Sequence, residues 1–152
     1  MTMSQRDAQS SDSNAAVLGA LLDRYHARVV GFAYQVLGDA ELAAQAAEAV
    51  FTQRPLPRDE IEVWTAVFAT MRRFLARGFV VRPLIAVNDG WQADLLHGLA
   101  ELEPEERALI LLRYHEGLPL ETVAQVAGLS VAAARQRLAT ARGRLIDRLG
   151  DA

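Results

Sequence analysis

The chain is expected to be all-α, with two small helical modules joined by a linker. Three observations predict this. Alanine and leucine are abundant, apolar residues recur at three- and four-residue spacing over long stretches, and no segment keeps the period-two alternation of a strand. The division falls at a stretch containing Pro83 and the turn sequence Asn88-Asp89-Gly90. The expected layout is a disordered tail over 1–14, a first module over 15–77, a linker over 78–91 and a second module over 92–152.

The tail is polar and rich in Ser, Asp and Gln. It lacks the charged-then-apolar order of a signal peptide. From Ala15 to Leu37 a helix is predicted by Val17, Leu18, Leu21, Leu22, Tyr25, Val29, Phe32, Ala33 and Val36. Gly38-Asp39 interrupts it, with Gly38 suited to end one helix and Asp39 to cap the next. A second helix follows from about Ala40 to Gln53, and Pro55 and Pro57 close it. A third begins near Asp59 and sets Ile61, Trp64, Val67, Phe68, Met71 and Leu75 on one side, with Arg72, Arg73 and Arg77 gathered at its end. The linker carries Val80, Val81, Leu84, Ile85 and Val87, so it is expected to pack against the protein rather than stand in water.

The second module is expected to open with a helix over Gln92–Leu102. Pro104 then starts another that runs to His115 and stops at Gly117. A short helix over Leu120–Ala127 leads into Gly128-Leu129-Ser130, and a long helix runs from Val131 to about Leu149 with Ser130 as its cap.

Composition excludes several classes of function. The 152 residues contain no cysteine, which rules out disulfides, thiolate metal sites and cysteine nucleophiles, and which fits a reducing cytoplasm. No apolar run approaches the roughly 20 residues of a membrane span, so no membrane insertion is expected. His26, His97 and His115 lie far apart in sequence, none has metal-ligand spacing, and none stands beside a plausible nucleophile. No enzyme activity, metal or cofactor is expected. Net charge is -3, which does not by itself point to nucleic acid, and all 16 basic residues are arginine.

The strongest local signal is Ala124, Gly128 and Ala134. A helix-turn-helix needs a small residue where its helices cross, a turn residue tolerant of positive φ, and an apolar residue closing the packing. The long helix then divides cleanly on a helical wheel. Ala134, Leu138, Ala141, Leu145 and Leu149 form an apolar stripe, flanked by Arg135 and Arg142 on one side and Arg137, Arg144 and Arg148 on the other. Ala132, Ala133, Gln136, Thr140 and Gly143 face away from it. Small residues there permit close approach to a major groove, the arginines reach phosphates, and Gln136 or Arg137 can read base edges. The expected DNA contacts are therefore Arg135, Gln136, Arg137, Thr140, Arg142 and Arg144.

Leu102 to Leu149 resembles the promoter -35 binding region, region 4, of the extracytoplasmic-function sigma factors. The likeness rests on Leu102-Glu103-Pro104-Glu105-Glu106-Arg107, on Leu111-Leu112-Arg113-Tyr114-His115-Glu116-Gly117-Leu118, on Val123-Ala124 with Gly128-Leu129-Ser130, and on Arg135-Gln136-Arg137-Leu138 with Ala141-Arg142 and Leu145. Ala132-Ala133-Ala134 replaces the family's Gly-Thr-Val, and Thr122 its glutamate. The first half resembles region 2 of that family through Tyr25, Ala33, Leu37, Gly38-Asp39, Ala43, Val50-Phe51 and Trp64. The family's acidic polymerase-docking face reads Ala44, Gln45, Glu48 and Ala49 here, and Met71 replaces an asparagine.

The resemblance implies a region 2-like three-helix bundle and a region 4-like helix-turn-helix. It also implies core RNA polymerase and promoter DNA as partners, with an anti-sigma factor as regulator. Trp64, Arg72, Arg73 and Arg77 would then stand at the -10 element, and Gln45, Glu48 and Phe51 against polymerase. Two other readings stay open: a sigma-derived DNA-binding regulator or anti-sigma decoy that does not initiate transcription, and a stand-alone regulator that dimerises on palindromic sites.

Overall fold

The computed structural model describes the backbone of residues 5–77, 98–99 and 101–150, and the side chains of residues 14–77, 98–99 and 101–147. The expected linker, Trp91 and most of the helix expected over 92–102 lie outside the described residues. All regular structure among those described is helical. The helices are α1 (Gln5–Leu37), α2 (Ala40–Thr52), α3 (Glu60–Ala76), α4 (Pro104–Ile110), α5 (Leu120–Ala127) and α6 (Val131–Gly150).

The first helix corrects two expectations. It starts at Gln5, so residues 5–14 are helical where a disordered tail was expected. A nucleated helix extends at little cost per residue through sequence free of Gly and Pro. Within it, Leu21, Tyr25, Val29, Phe32, Ala33, Val36 and Leu37 are buried and Leu18 is half-buried, whereas Val17 and Leu22 are exposed. The periodic pattern thus begins before the bundle does.

The caps follow the sequence. Gly38 takes φ 72°, and its N–H donates to the Tyr34 carbonyl at 2.7 Å. Asp39 accepts from the Leu42 N–H at 3.0 Å, and Asp59 from the Glu62 N–H at 2.8 Å, each satisfying an otherwise orphan donor of the first helical turn. The α3 helix is buried more widely than one stripe: Val63, Ala66, Thr70 and Phe74 join Trp64, Val67, Phe68 and Met71 in the core, while Ile61 and Leu75 are half-buried. The reason is its position, packed against α2 on one side and α5 on the other.

Pro104 occupies the first turn of α4 as expected. The helix does not continue regularly to His115. Leu111–His115 widens into a π-helical turn, with the Glu116 N–H donating to the Leu111 carbonyl at 2.9 Å. Consecutive Leu111 and Leu112 are both buried there, and Gly117 ends the segment at φ 72°.

One hydrophobic core runs through both halves of the chain, from Leu21 on α1 to Leu145 on α6. It is closed by α3 packing on α5 and by α1 packing on α4. Among the described residues no helix is long and apolar enough to cross a membrane.

Candidate nucleic-acid interface

The turn between α5 and α6 is built as its small residues require. Gly128 lies in the left-handed region at φ 69°, ψ 32°. The Leu129 N–H donates to the Ala124 carbonyl at 2.9 Å and the Gly128 N–H to the Gln125 carbonyl at 3.2 Å, the paired bonds that close a helix C-terminus around a glycine. Ser130 then caps α6, its Oγ accepting from the Ala133 N–H at 3.1 Å. Ala124 and Ala134 are buried where the two helices meet.

Beyond that turn α6 presents two faces. Ala134, Leu138, Ala141 and Leu145 are buried. Arg135, Gln136, Arg137, Thr140, Arg142 and Arg144 are all exposed. Gln136, Arg137, Thr140, Ala133 and Glu106 line a groove of about 480 Å³. The side chains of Arg148 and Leu149 lie outside the described residues.

These cations do not all stand free. Arg144 Nη1 donates to Glu106 Oε1 at 2.6 Å, and Arg137 Nη1 lies 3.6 Å from Glu105 Oε1. Arg142 rests over the ring of Tyr114, 5.7 Å from its centre. Arg135 makes no ion pair among the described residues. Sequence reasoning identified the arginines but missed the acidic first turn of α4 as their partner. Glu105 and Glu106 follow Pro104 in the first turn of α4, but which helix they meet depends on the tertiary fold.

The residues expected at the -10 element are divided. Arg72, Arg73 and Arg77 are exposed near the end of α3. Arg72 stacks on Phe68, donates to Glu105 Oε1 at 2.6 Å and donates to the Ala127 carbonyl at 3.1 Å. Arg73 Nη2 donates to Thr70 Oγ1 at 3.1 Å. Trp64 corrects the expectation: it is fully buried, edge-on to Phe32 at 5.3 Å, and cannot meet a DNA strand in this arrangement. Its indole N–H is buried without a hydrogen-bond acceptor.

The expected polymerase contacts divide likewise. Gln45 and Glu48 are exposed on α2, but Phe51 is only 3% exposed and packs near the ring of His26. The alternation of burial along α2 puts Phe51 on the same inward side as Ala43, Ala47 and Val50.

Two polar features bind the halves together, and the sequence did not single them out. Arg107 on α4 is 2% exposed and donates to the carbonyls of Leu99 (2.7 Å), Leu102 (3.2 Å) and Val36 (2.7 Å), the last at the end of α1. Burial lowers its pKa below the usual arginine value. Arg28 on α1 pairs with Glu116 at 2.9 Å and Glu60 at 3.2 Å. Burial works against the Arg28 charge, but these bonds outweigh it and raise its pKa. A sequence signal existed only for Arg107, four residues before the inward-facing Leu111.

Fold and site together define a helix-turn-helix protein whose second helix carries an exposed row of arginines. Residues 98–146 match the family Sigma-70, region 4. The whole-chain fold is similar to that of the sigma factor RpoE from Bartonella quintana, solved in complex with the anti-sigma factor NepR. That likeness has a TM-score of 0.61 at 18% identity and covers 93% of this chain and 97% of that one. No curated protein matches the chain in sequence. Residues 98–146 thus carry a Sigma-70 region 4 sequence, and the whole chain shares the fold of a sigma factor.

Proposed function

We propose that this protein binds core RNA polymerase and directs it to promoters, with α6 seated in the major groove of the -35 element. One observation carries this reading: Arg135, Gln136, Arg137, Thr140 and Arg142 are exposed along a single helix held by an intact helix-turn-helix turn. Arginines at the edges of such a helix neutralise phosphates, and a polar residue between them reads bases. Arg72, Arg73 and Arg77 would hold backbone phosphates near the -10 element, and Gln45 and Glu48 would face polymerase. The protein would act in the cytoplasm, where its DNA and polymerase are. Control by an anti-sigma protein belongs to the same proposal, supported by the RpoE–NepR complex.

Burial of Trp64 and Phe51 favours a second reading, a sigma-derived DNA-binding regulator that does not initiate transcription. Co-purification with core RNA polymerase separates the two. Stoichiometric binding followed by run-off transcription is expected of a sigma factor. No binding at micromolar concentration, with DNA binding intact, would instead support the regulator.

Arg137→Ala tests the placement of α6. A lost phosphate contact weakens binding about equally on all sequences, whereas a lost base contact relaxes one position by roughly 1–3 kcal/mol. Unchanged affinity and specificity in a filter-binding series would show that α6 is not the reading helix.

A further inference from the structure

The exposed arginines of α3 and α6 lie on different helices, far apart in sequence, yet one carboxylate meets a member of each set. Glu105 Oε1 accepts from Arg72 Nη2 at 2.6 Å and lies 3.6 Å from Arg137 Nη1. Its neighbour Glu106 takes Arg144 at 2.6 Å. Both carboxylates stand in the first turn of α4, where unpaired backbone N–H groups favour negative charge. Arg72 also donates to the Ala127 carbonyl, directly before the turn glycine, so the α3 cations and the helix-turn-helix lie side by side.

We propose that Glu105 is an internal competitor for DNA phosphate, one carboxylate that occupies Arg72 and Arg137 until a polyanion displaces it. The proposal rests on the reading of α6 as a DNA-binding helix. A carboxylate and a phosphate oxygen compete for the same guanidinium donors, and bidentate arginine geometry suits either. The ion pairs are half-exposed, which makes them exchangeable: such pairs are weak enough for a phosphate to replace them. The geometry also couples the two sets of cations. Arg72 and Arg137 stand within reach of one carboxylate, so a phosphate that takes either guanidinium competes with Glu105.

The test is fluorescence anisotropy of a short labelled DNA duplex titrated with the full chain at several salt concentrations. Glu105→Gln keeps size and shape at a half-exposed position and removes the charge. It is expected to tighten binding about three- to tenfold at low salt, with the gain shrinking as salt rises. Glu41→Gln, an exposed position on α2 outside these pairs, makes the same change in net charge and is expected to alter affinity by less than about twofold. The Glu105→Gln gain is expected to shrink in the Arg72→Ala and Arg137→Ala backgrounds, because coupled residues are not additive. Equal gains from Glu105→Gln and Glu41→Gln would overturn the proposal, as would a gain that persists undiminished in both arginine backgrounds. Wild-type binding with no gain on Glu105→Gln would refute the competitor alone. Absence of DNA binding by every variant at low salt would instead remove the DNA-binding reading beneath it.

Discussion

Arg107 shows how much one side chain decides here. Its guanidinium is buried and reaches the carbonyls of Val36, Leu99 and Leu102, so it closes the end of α1 from a helix 71 residues away. Carbonyls in the last turn of a helix have no partner within it, and they carry the negative end of the helix dipole. A cation placed there is doubly favourable. Arg107→Met keeps most of the volume but strands those oxygens out of water, and it is expected to destabilise the protein by about 3–5 kcal/mol. A urea titration reads this directly, and a midpoint equal to wild type would show that the contact is dispensable. Trp64 illustrates the opposite limit. Its packing against Phe32 is complete while its N–H has no acceptor, so its ring serves the core rather than a solvent-facing site.

Helix ends and turns were the most legible elements, because their chemistry is local. Gly38, Asp39, Pro104, Gly117, Gly128 and Ser130 all act where the sequence places them. At Gly128 the left-handed backbone would bring a Cβ against the following carbonyl. Gly128→Ala is therefore expected to cost about 1–2 kcal/mol, seen as a lower thermal midpoint with helicity retained; an unchanged midpoint would mean the turn relaxes freely. The faces of α6 were also legible, since a helix with one partner side buries one stripe. By contrast α3 was read as single-faced and is buried on two sides, and periodicity alone cannot reveal a second neighbour.

At the scale of the whole molecule, the halves share a core and several polar ties. Besides Arg107, the Arg28–Glu116 pair and the Arg72 bond to Ala127 cross between them. Such partly exposed pairs contribute at most about 1 kcal/mol each, so apolar burial between α3 and α5 and between α1 and α4 supplies most of the cohesion. A shared core couples the unfolding of its parts. Scanning calorimetry is expected to give one cooperative transition with equal calorimetric and van't Hoff enthalpies. Two resolved transitions would mean that the halves unfold independently.

The amino-acid sequence by itself determined the all-α class, the caps and breaks, the helix-turn-helix and the arginine-rich face of α6. These follow from backbone sterics, capping chemistry and the 3.6-residue period, each complete within a few residues of chain. Only the tertiary structure decided that Trp64 and Phe51 are core, that Arg107 closes a distant helix, and that Glu105 and Glu106 face the candidate DNA-binding arginines. Those outcomes depend on which surfaces meet, and the cost of burying a ring or a charge is set by the neighbours that surround it.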